Sequence, residues 1–314
     1  MLQSLLLRLG EGRDGGLIMT RKSQFLPVLT VLGTLVVVWY FGAVWMNLDL
    51  QRNLFANADN TTYSTRDLIS GTLNQDRPRL PAPHQIVEEL NHSVLEVAPD
   101  SRRSLVYHAT ITVEATLLGF AIGSGLGIFL AILIVHLRSL DKSLMPWIVA
   151  SQTVPIIALA PMIVVILNQF DITGIVPKAV IAAYLSFFPV TVGMVKGLRS
   201  PDPLQMDLMR TYSASKLQTF FKLRLPASVP FLFTSLKIAV AAALVGAVVA
   251  EITKSEDGGL GARLLAGSYY GQTIQIWAAL LTAASVAALL VVLIGVFERL
   301  TAVKMGAKTT VARP

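Results

Sequence analysis

Cysteine is absent from the 314 residues, and charge is scarce, with Asp, Glu, Lys and Arg together making up 14%. The first absence rules out disulfides and thiolate metal sites, and the four histidines, His84, His92, His108 and His136, stand in no ligand spacing such as HExxH. No metal is expected. No GxxxxGK[ST] loop and no GxSxG elbow occurs, and no carboxylate pair stands with a base in a plausible cleft, so the chain offers no hydrolytic chemistry of its own. What replaces charge is apolar bulk: 54% of residues are hydrophobic and the mean hydropathy is +0.62, a balance that no soluble domain of this size needs. The sequence is that of an integral membrane protein. Its net charge of +7 is scattered between apolar runs without an aromatic-interleaved stripe, so no nucleic acid is expected as a partner.

A membrane helix needs roughly 20 mostly apolar residues. Six windows qualify, near Phe25 to Met46, Ile111 to His136, Leu144 to Phe170, Val176 to Val195, Pro230 to Ile252 and Ile274 to Phe297. Helices are the economical choice, because hydrocarbon offers nothing to an unpaired amide and these runs lack the alternation of barrel strands. The expected class is all-α, a polytopic membrane protein of about six transmembrane helices. Basic residues give the orientation: with the N-terminus inside, the inner segments hold Arg8, Arg13, Arg21, Lys22, Arg138, Lys142, the run from Lys196 to Arg224, and Arg299, Lys304, Lys308 and Arg313. The later outer connections hold only Lys178, Lys254 and Arg263. Both termini are expected in the cytoplasm.

This divides the chain into a cytoplasmic segment 1–24, a first span 25–46, an outer segment 47–106, a core 107–300 with an inner loop 197–229, and a tail 301–314. The opening residues lack the cleavage site of a signal peptide. Met19, followed by "TRK" and the first long apolar run, competes with Met1 as the start. In the outer segment "ANADNTTYSTRD" reads as loop, while "LPAPHQIVEELNHSVLEV" places Ile86, Leu90, Val94 and Leu95 at near-helical spacing after a proline start. It reads as an amphipathic surface helix or as a solvated linker.

Gly119, Gly123 and Gly127 in "GFAIGSGLG" recur every four residues and bare one helix face for close packing. The third window carries "SQTVPIIALAP", where Pro155 and Pro161 each remove an amide donor; Pro189 repeats the device in the fourth. Ser151, Gln152 and Thr153 beside the bend are candidates for a pathway wall, unless the kink serves packing alone. Charged residues near the spans are few, namely Glu114, Lys237 and Glu251, and each is either functional or a snorkelling residue near a span end. They motivate a second reading, an ion-coupled secondary transporter, although no acids are spread along several spans. A third reading, a membrane scaffold or receptor, rests on the long outer segment.

Between the fourth and fifth windows lies "MRTYSASKLQTFFKLRLPASVP", with Arg210, Lys216, Lys222 and Arg224 and no acid. Taken as a helix, Met206, Met209, Ser213, Leu217 and Phe220 share one face, and an exposed loop has little use for such a face unless something packs on it. Pro226 and Pro230 are expected to stop that helix and set the angle of the fifth span.

This stretch resembles the cytoplasmic signature of permease subunits of binding-protein-dependent ABC importers, written EAA, three residues, Gly, nine residues, Ile-x-Leu-Pro. Here the register is Asp207-Leu208-Met209, then Ser213, then Leu223-Arg224-Leu225-Pro226. The spacing matches throughout, and Ser213 stands in place of the glycine between two short helices. Collinear stretches, "LPAPHQIVEEL", "LLGFAIGSGLGI", "SQTVPIIALAPMIVV", "FFPVTVGMVKGL", "GAVVAE", "GGLGARL" and "FER", resemble the branch that carries nitrate, alkanesulfonates, taurine, riboflavin and pyrimidine precursors. The resemblance implies a type I importer permease fold in a bacterial inner membrane, a second permease copy, a cytoplasmic ABC ATPase dimer and a periplasmic or lipid-anchored substrate-binding protein. It implies no cofactor on this chain, with ATP and Mg on the partner ATPase. Met206, Asp207, Met209, Arg210, Ser213, Ala214, Leu217, Phe220, Leu225 and Pro226 would then couple to the ATPase. Ser151, Gln152, Thr153, Pro155, Pro161 and Glu251 are the candidates for the translocation path.

Overall fold

The computed structural model describes residues 25–57 and 63–305. The expected segment 1–24, both candidate starts, residues 58–62 of the expected loop and residues 306–314 of the tail lie outside the described residues. Twelve α-helices and no strand occur among the described residues. The chain divides into two units, residues 1–85 and 86–314.

In the first unit, α1 (Phe25–Asn57) is apolar and exposed on every side from Leu26 to Val38, as a lipid-facing helix is. It does not end near Met46, as hydropathy suggests, but continues about three turns further. Asn47 ends the apolar window without ending the helix, because its side chain is buried and fully bonded. Its Nδ2 donates to the carbonyls of Leu80 (2.8 Å) and Thr72 (3.3 Å), and its Oδ1 accepts from the amides of Arg79 (2.8 Å) and Leu80 (3.3 Å). The expected loop is partly helical too: α2 (Thr65–Leu73) starts at a capping box in which Ser64 and Asp67 satisfy each other's backbone amides.

The proline start at Pro83 opens α3 (Pro83–Asn91), which passes into a π turn over His92–Glu96. Ile86 is buried and Leu90 and Val94 partly so, but Leu95 is 76% exposed. The π turn adds a residue to the ring and rotates Leu95 off the stripe that regular helical spacing assigns to it.

The second unit is built around α7 (Ile175–Leu198), which lies between α4 (Leu105–His136) and α10 (Leu225–Thr253). Small residues make this possible. A Cβ on Gly119, Gly123 or Gly127 of α4 would stand 2.4 Å from Ala182 Cβ, 2.0 Å from Ser186 Oγ or 2.8 Å from the Phe187 carbonyl, and one on Gly246 of α10 would stand 2.8 Å from Ala182 Cα. Backbones at that separation exclude any side chain. The last helix, α12 (Thr273–Lys304), is joined to α10 by an ion pair between Lys237 and Glu298.

The third window is not one span with two bends. It is a pair, α5 (Arg138–Ser151) and α6 (Ile156–Gln169), bent by 100°. The break falls at Pro155 alone, while Pro161 and Pro189 lie inside continuous helices. Proline at 155 cannot donate to the carbonyl of Ser151, and Tyr184 of α7 takes over that acceptor with its hydroxyl at 2.6 Å. The pair still crosses: Asp141 pairs with Arg199 just past the end of α7 (2.9 Å), Ser151 meets its middle, and Ala160 and Val164 pack with Ile181 towards its start. Five helices among the described residues are long and apolar enough to span, and with the bent pair counted as one span there are six candidates.

Candidate translocation path and coupling surface

At the break between α5 and α6 the kinked backbone leaves room beside α7 and α10, forming an open cavity of about 850 Å³. Ser151 and Gln152 line it, together with Tyr184, Phe188, Phe231 and Lys196. Thr153, Pro155, Pro161 and Glu251 are not among its lining residues. Thr153 and Pro155 lie in the break itself, where they create the space without facing it. Three aromatic rings stand in a mostly apolar wall, and the Lys196 ammonium sits 6.0 Å from the centroid of Phe231, a cation over a π face. Ser151, Thr234 and Ser235 donate to carbonyls within three or four residues, so their oxygens remain free to accept. Sequence reasoning found the polar residues beside Pro155 but missed the aromatic ones, whose lining role depends on α7 and α10 being neighbours.

Beyond α7 the chain folds into α8 (Pro203–Thr211) and α9 (Lys216–Thr219), followed by a π turn at Phe220–Arg224 that runs into α10. The single helical face expected from Met206 to Phe220 is interrupted. The amide of Ser213 bonds the carbonyl of Arg210 (2.8 Å) and that of Ala214 bonds Met209 (2.9 Å), with Ser213 at φ +52°. This is a Schellman ending, in which the residue after the cap takes the left-handed conformation that glycine adopts without a Cβ penalty. Ser213 therefore carries a strain of about 1 kcal/mol that the glycine of the signature avoids. Both short helices have capping boxes, Asp202 with Gln205 and Ser215 with Gln218, and Arg210 pairs with Asp207 (3.0 Å).

The interruption redistributes the face. Met206, Met209 and Phe220 are half-buried, whereas Leu204, Leu208, Tyr212 and Leu217 are exposed, Leu204 by 78%. Nor do the prolines stop the helix: Pro226 stands directly after the π turn, in the first turn of α10, and Pro230 lies within it. From Lys216 to Thr253 the chain forms one 38-residue helical run.

At the far end of α10, Glu251 is fully buried in a polar cluster. Its Oε2 accepts from Thr112 Oγ1 (3.0 Å) and the Gly261 amide (2.9 Å); Thr112 Oγ1 accepts from Leu260 N (2.9 Å), His108 Nδ1 from Gly259 N (3.0 Å), and Lys178 Nζ donates to the Gly258 carbonyl (3.2 Å). Of the other two charges singled out, Glu114 is exposed and Lys237 is paired with Glu298.

Comparison with known proteins assigns this arrangement to a family. Residues 123–305 match the family described as "Binding-protein-dependent transport system inner membrane component". The chain belongs to that family. The formylaminopyrimidine transport permease of Halalkalibacterium halodurans is 34% identical over 180 residues, covering 57% of this chain and 67% of the relative. The riboflavin transport system permease of Chloroflexus aurantiacus is 31% identical over 193 residues, covering 62% and 70%. A probable ABC transporter permease of Haemophilus influenzae is 34% identical over 179 residues, covering 57% and 71%. The protein is thus the permease subunit of an ABC importer, a multi-pass membrane protein of a family that works with an ATPase and a substrate-binding protein. The matched residues include α4 from Gly123 onward, the cavity, the helix pair at 203–219 and Glu251. A secondary transporter is not favoured.

Proposed function

We propose that this permease, as two copies in a bacterial inner membrane with both termini in the cytoplasm, passes a small solute from a periplasmic or lipid-anchored binding protein through the cavity beside Pro155. A cytoplasmic ABC ATPase dimer, holding ATP and Mg, hydrolyses ATP to drive the cycle. The observation that carries the reading is the exposed apolar set Leu204, Leu208, Tyr212 and Leu217 on a capped helix pair that continues into α10. Large apolar side chains held out on rigid, well-capped helices have the form of a knob for a partner's groove. The concentration of Lys and Arg from Lys196 to Arg224 supports a cytoplasmic position for that knob.

The solute best suited to the cavity is planar and heteroaromatic. Tyr184, Phe188 and Phe231 offer stacking faces, and Gln152 and the hydroxyl oxygens offer edge contacts. Nitrate or a sulfonate would call for several converging donors, and the cavity holds one cation, Lys196. The formylaminopyrimidine and riboflavin permeases among the relatives support the same class.

The test is reconstitution of the permease with its ATPase and binding protein in proteoliposomes. ATP turnover is expected to rise with solute-loaded binding protein, and labelled formylaminopyrimidine or riboflavin to be taken up only with ATP on the ATPase side. Purification without any bound ATPase, together with uptake driven by a proton or sodium gradient, would overturn the reading. Uptake of nitrate but neither aromatic solute would overturn the solute class alone.

A further inference from the structure

Glu251 has no place in the cavity, yet it is the most thoroughly enclosed carboxylate among the described residues. It lies in the last turn of α10, directly beneath the hairpin that joins α10 to α11 (Leu260–Tyr269). The hairpin is moulded around it. A Cβ on Gly259 would stand 2.1 Å from the Glu251 carboxyl carbon and 2.4 Å from Oε1, and Gly258 and Gly259 both have positive φ, +79° and +115°. Only a chain without side chains here can lie so close, and only glycine holds that backbone cheaply.

The bonds made at this point join three separate helices to the hairpin. Thr112 and His108 come from α4, Lys178 from α7 and Glu251 from α10, and together they hold the backbone of Gly258, Gly259, Leu260 and Gly261. One atom is left out: Glu251 Oε1 is buried with no hydrogen-bond partner. Below the hairpin lies a recess of about 650 Å³ lined by Arg102, His108, Gly258 and Ala262.

We propose that Glu251 is a positioning residue for transport: with Thr112 it pins the Gly258–Gly261 hairpin across the periplasmic end of the permease, and the pin is released when α10 moves. The helix that carries Glu251 is the one that leaves the ATPase-facing helix pair, so both ends answer to one body. This rests on the reading of that pair as the ATPase contact. Hydrogen bonds are suited to such a pin because they weaken steeply as donor and acceptor separate and lose alignment, and a hairpin that is lifted re-forms them with water.

The chain has no cysteine, so Ala262→Cys, at a site 7% exposed, supplies a single thiol whose labelling by a membrane-impermeant maleimide reports lifting of the hairpin. The measurement uses the full complex of permease and ATPase in nanodiscs, without nucleotide and with ATP trapped by vanadate. Labelling is expected to be faster in the trapped state by roughly tenfold, the factor carried by one charge-assisted hydrogen bond. Adding Glu251→Leu, which removes the acceptor for both Thr112 and Gly261, or Thr112→Val is expected to raise the nucleotide-free rate to the trapped rate and to increase ATP turnover in the absence of binding protein. A merely structural role would lower yield or assembly and leave the state dependence of labelling intact. State-dependent labelling that survives both substitutions overturns the proposal, as does equal labelling of the two states without them. If Glu251→Leu does not assemble, Thr112→Val decides by the same criterion. Failure of the unsubstituted permease to bind any ATPase overturns the coupling reading, and this inference with it.

Discussion

The two ends of the helical run from Lys216 to Thr253 are built on opposite principles. At the Lys216 end, apolar side chains stand in solvent on helices whose backbone is capped. At the Thr253 end a carboxylate, a hydroxyl, an imidazole and an ammonium are drawn inside and bonded to glycine-rich backbone. The first end is energetically unfinished without a partner, because exposed Leu and Tyr gain only when covered. The second makes its bonds within the chain and loses if disturbed, because each orphaned buried polar group costs about 1–3 kcal/mol. One end is made to bind and the other to hold.

The sharpest break of that contrast is Glu251→Ala, which orphans the Gly261 amide and leaves a cavity. It is expected to lower stability by roughly 4 kcal/mol, read as the midpoint of thermal unfolding in detergent, whereas an unchanged midpoint would mean that the cluster holds little. Gly123→Leu should cost about 3 kcal/mol by forcing α4 from α7, and it should do so within a single copy. The close approach is intramolecular, so the yield of folded permease is expected to fall before any change in the ratio of dimer to monomer. At the other end Leu208→Asp is expected to leave the unfolding midpoint in place while weakening ATPase binding by roughly 2 kcal/mol, about 30-fold. Equal binding would move the contact elsewhere. The smallest effect is Ser213→Gly, expected to stabilise the α8 ending by about 0.5–1 kcal/mol by relieving the left-handed serine. Ser213→Pro does the reverse, since proline cannot reach φ +52° or donate to Arg210.

Much of the architecture is legible in the sequence because hydrocarbon imposes length and apolarity on anything that crosses it. Where hydropathy misleads, buried polar residues are the reason. Asn47 looks like the end of a helix and is a bonded residue within one. The broken span shows a different limit: Pro155 and Pro161 are equivalent as letters, and only Pro155 has a tyrosine at hand for the carbonyl it frees. In the coupling segment the spacing from Asp207 to Pro226 is readable, but the exposed face is not, because a helical projection assumes a continuous helix and Ser213 turns the chain in the middle. Glu251 is singled out as an acid in a span, yet its partners Thr112 and Gly261 stand 139 and 10 residues away. No local pattern joins them.

The length of the α9–α10 run carries one more consequence, a matter of tolerance. Its 38 residues make a rod about 57 Å long, so a tilt of roughly 5° about its middle displaces each tip by about 2.5 Å. An apolar patch in a greasy groove accommodates that shift gradually. Hydrogen bonds confined to about 2.7–3.2 Å do not. A rotation of that size would thus be tolerated at one tip and would break bonds at the other.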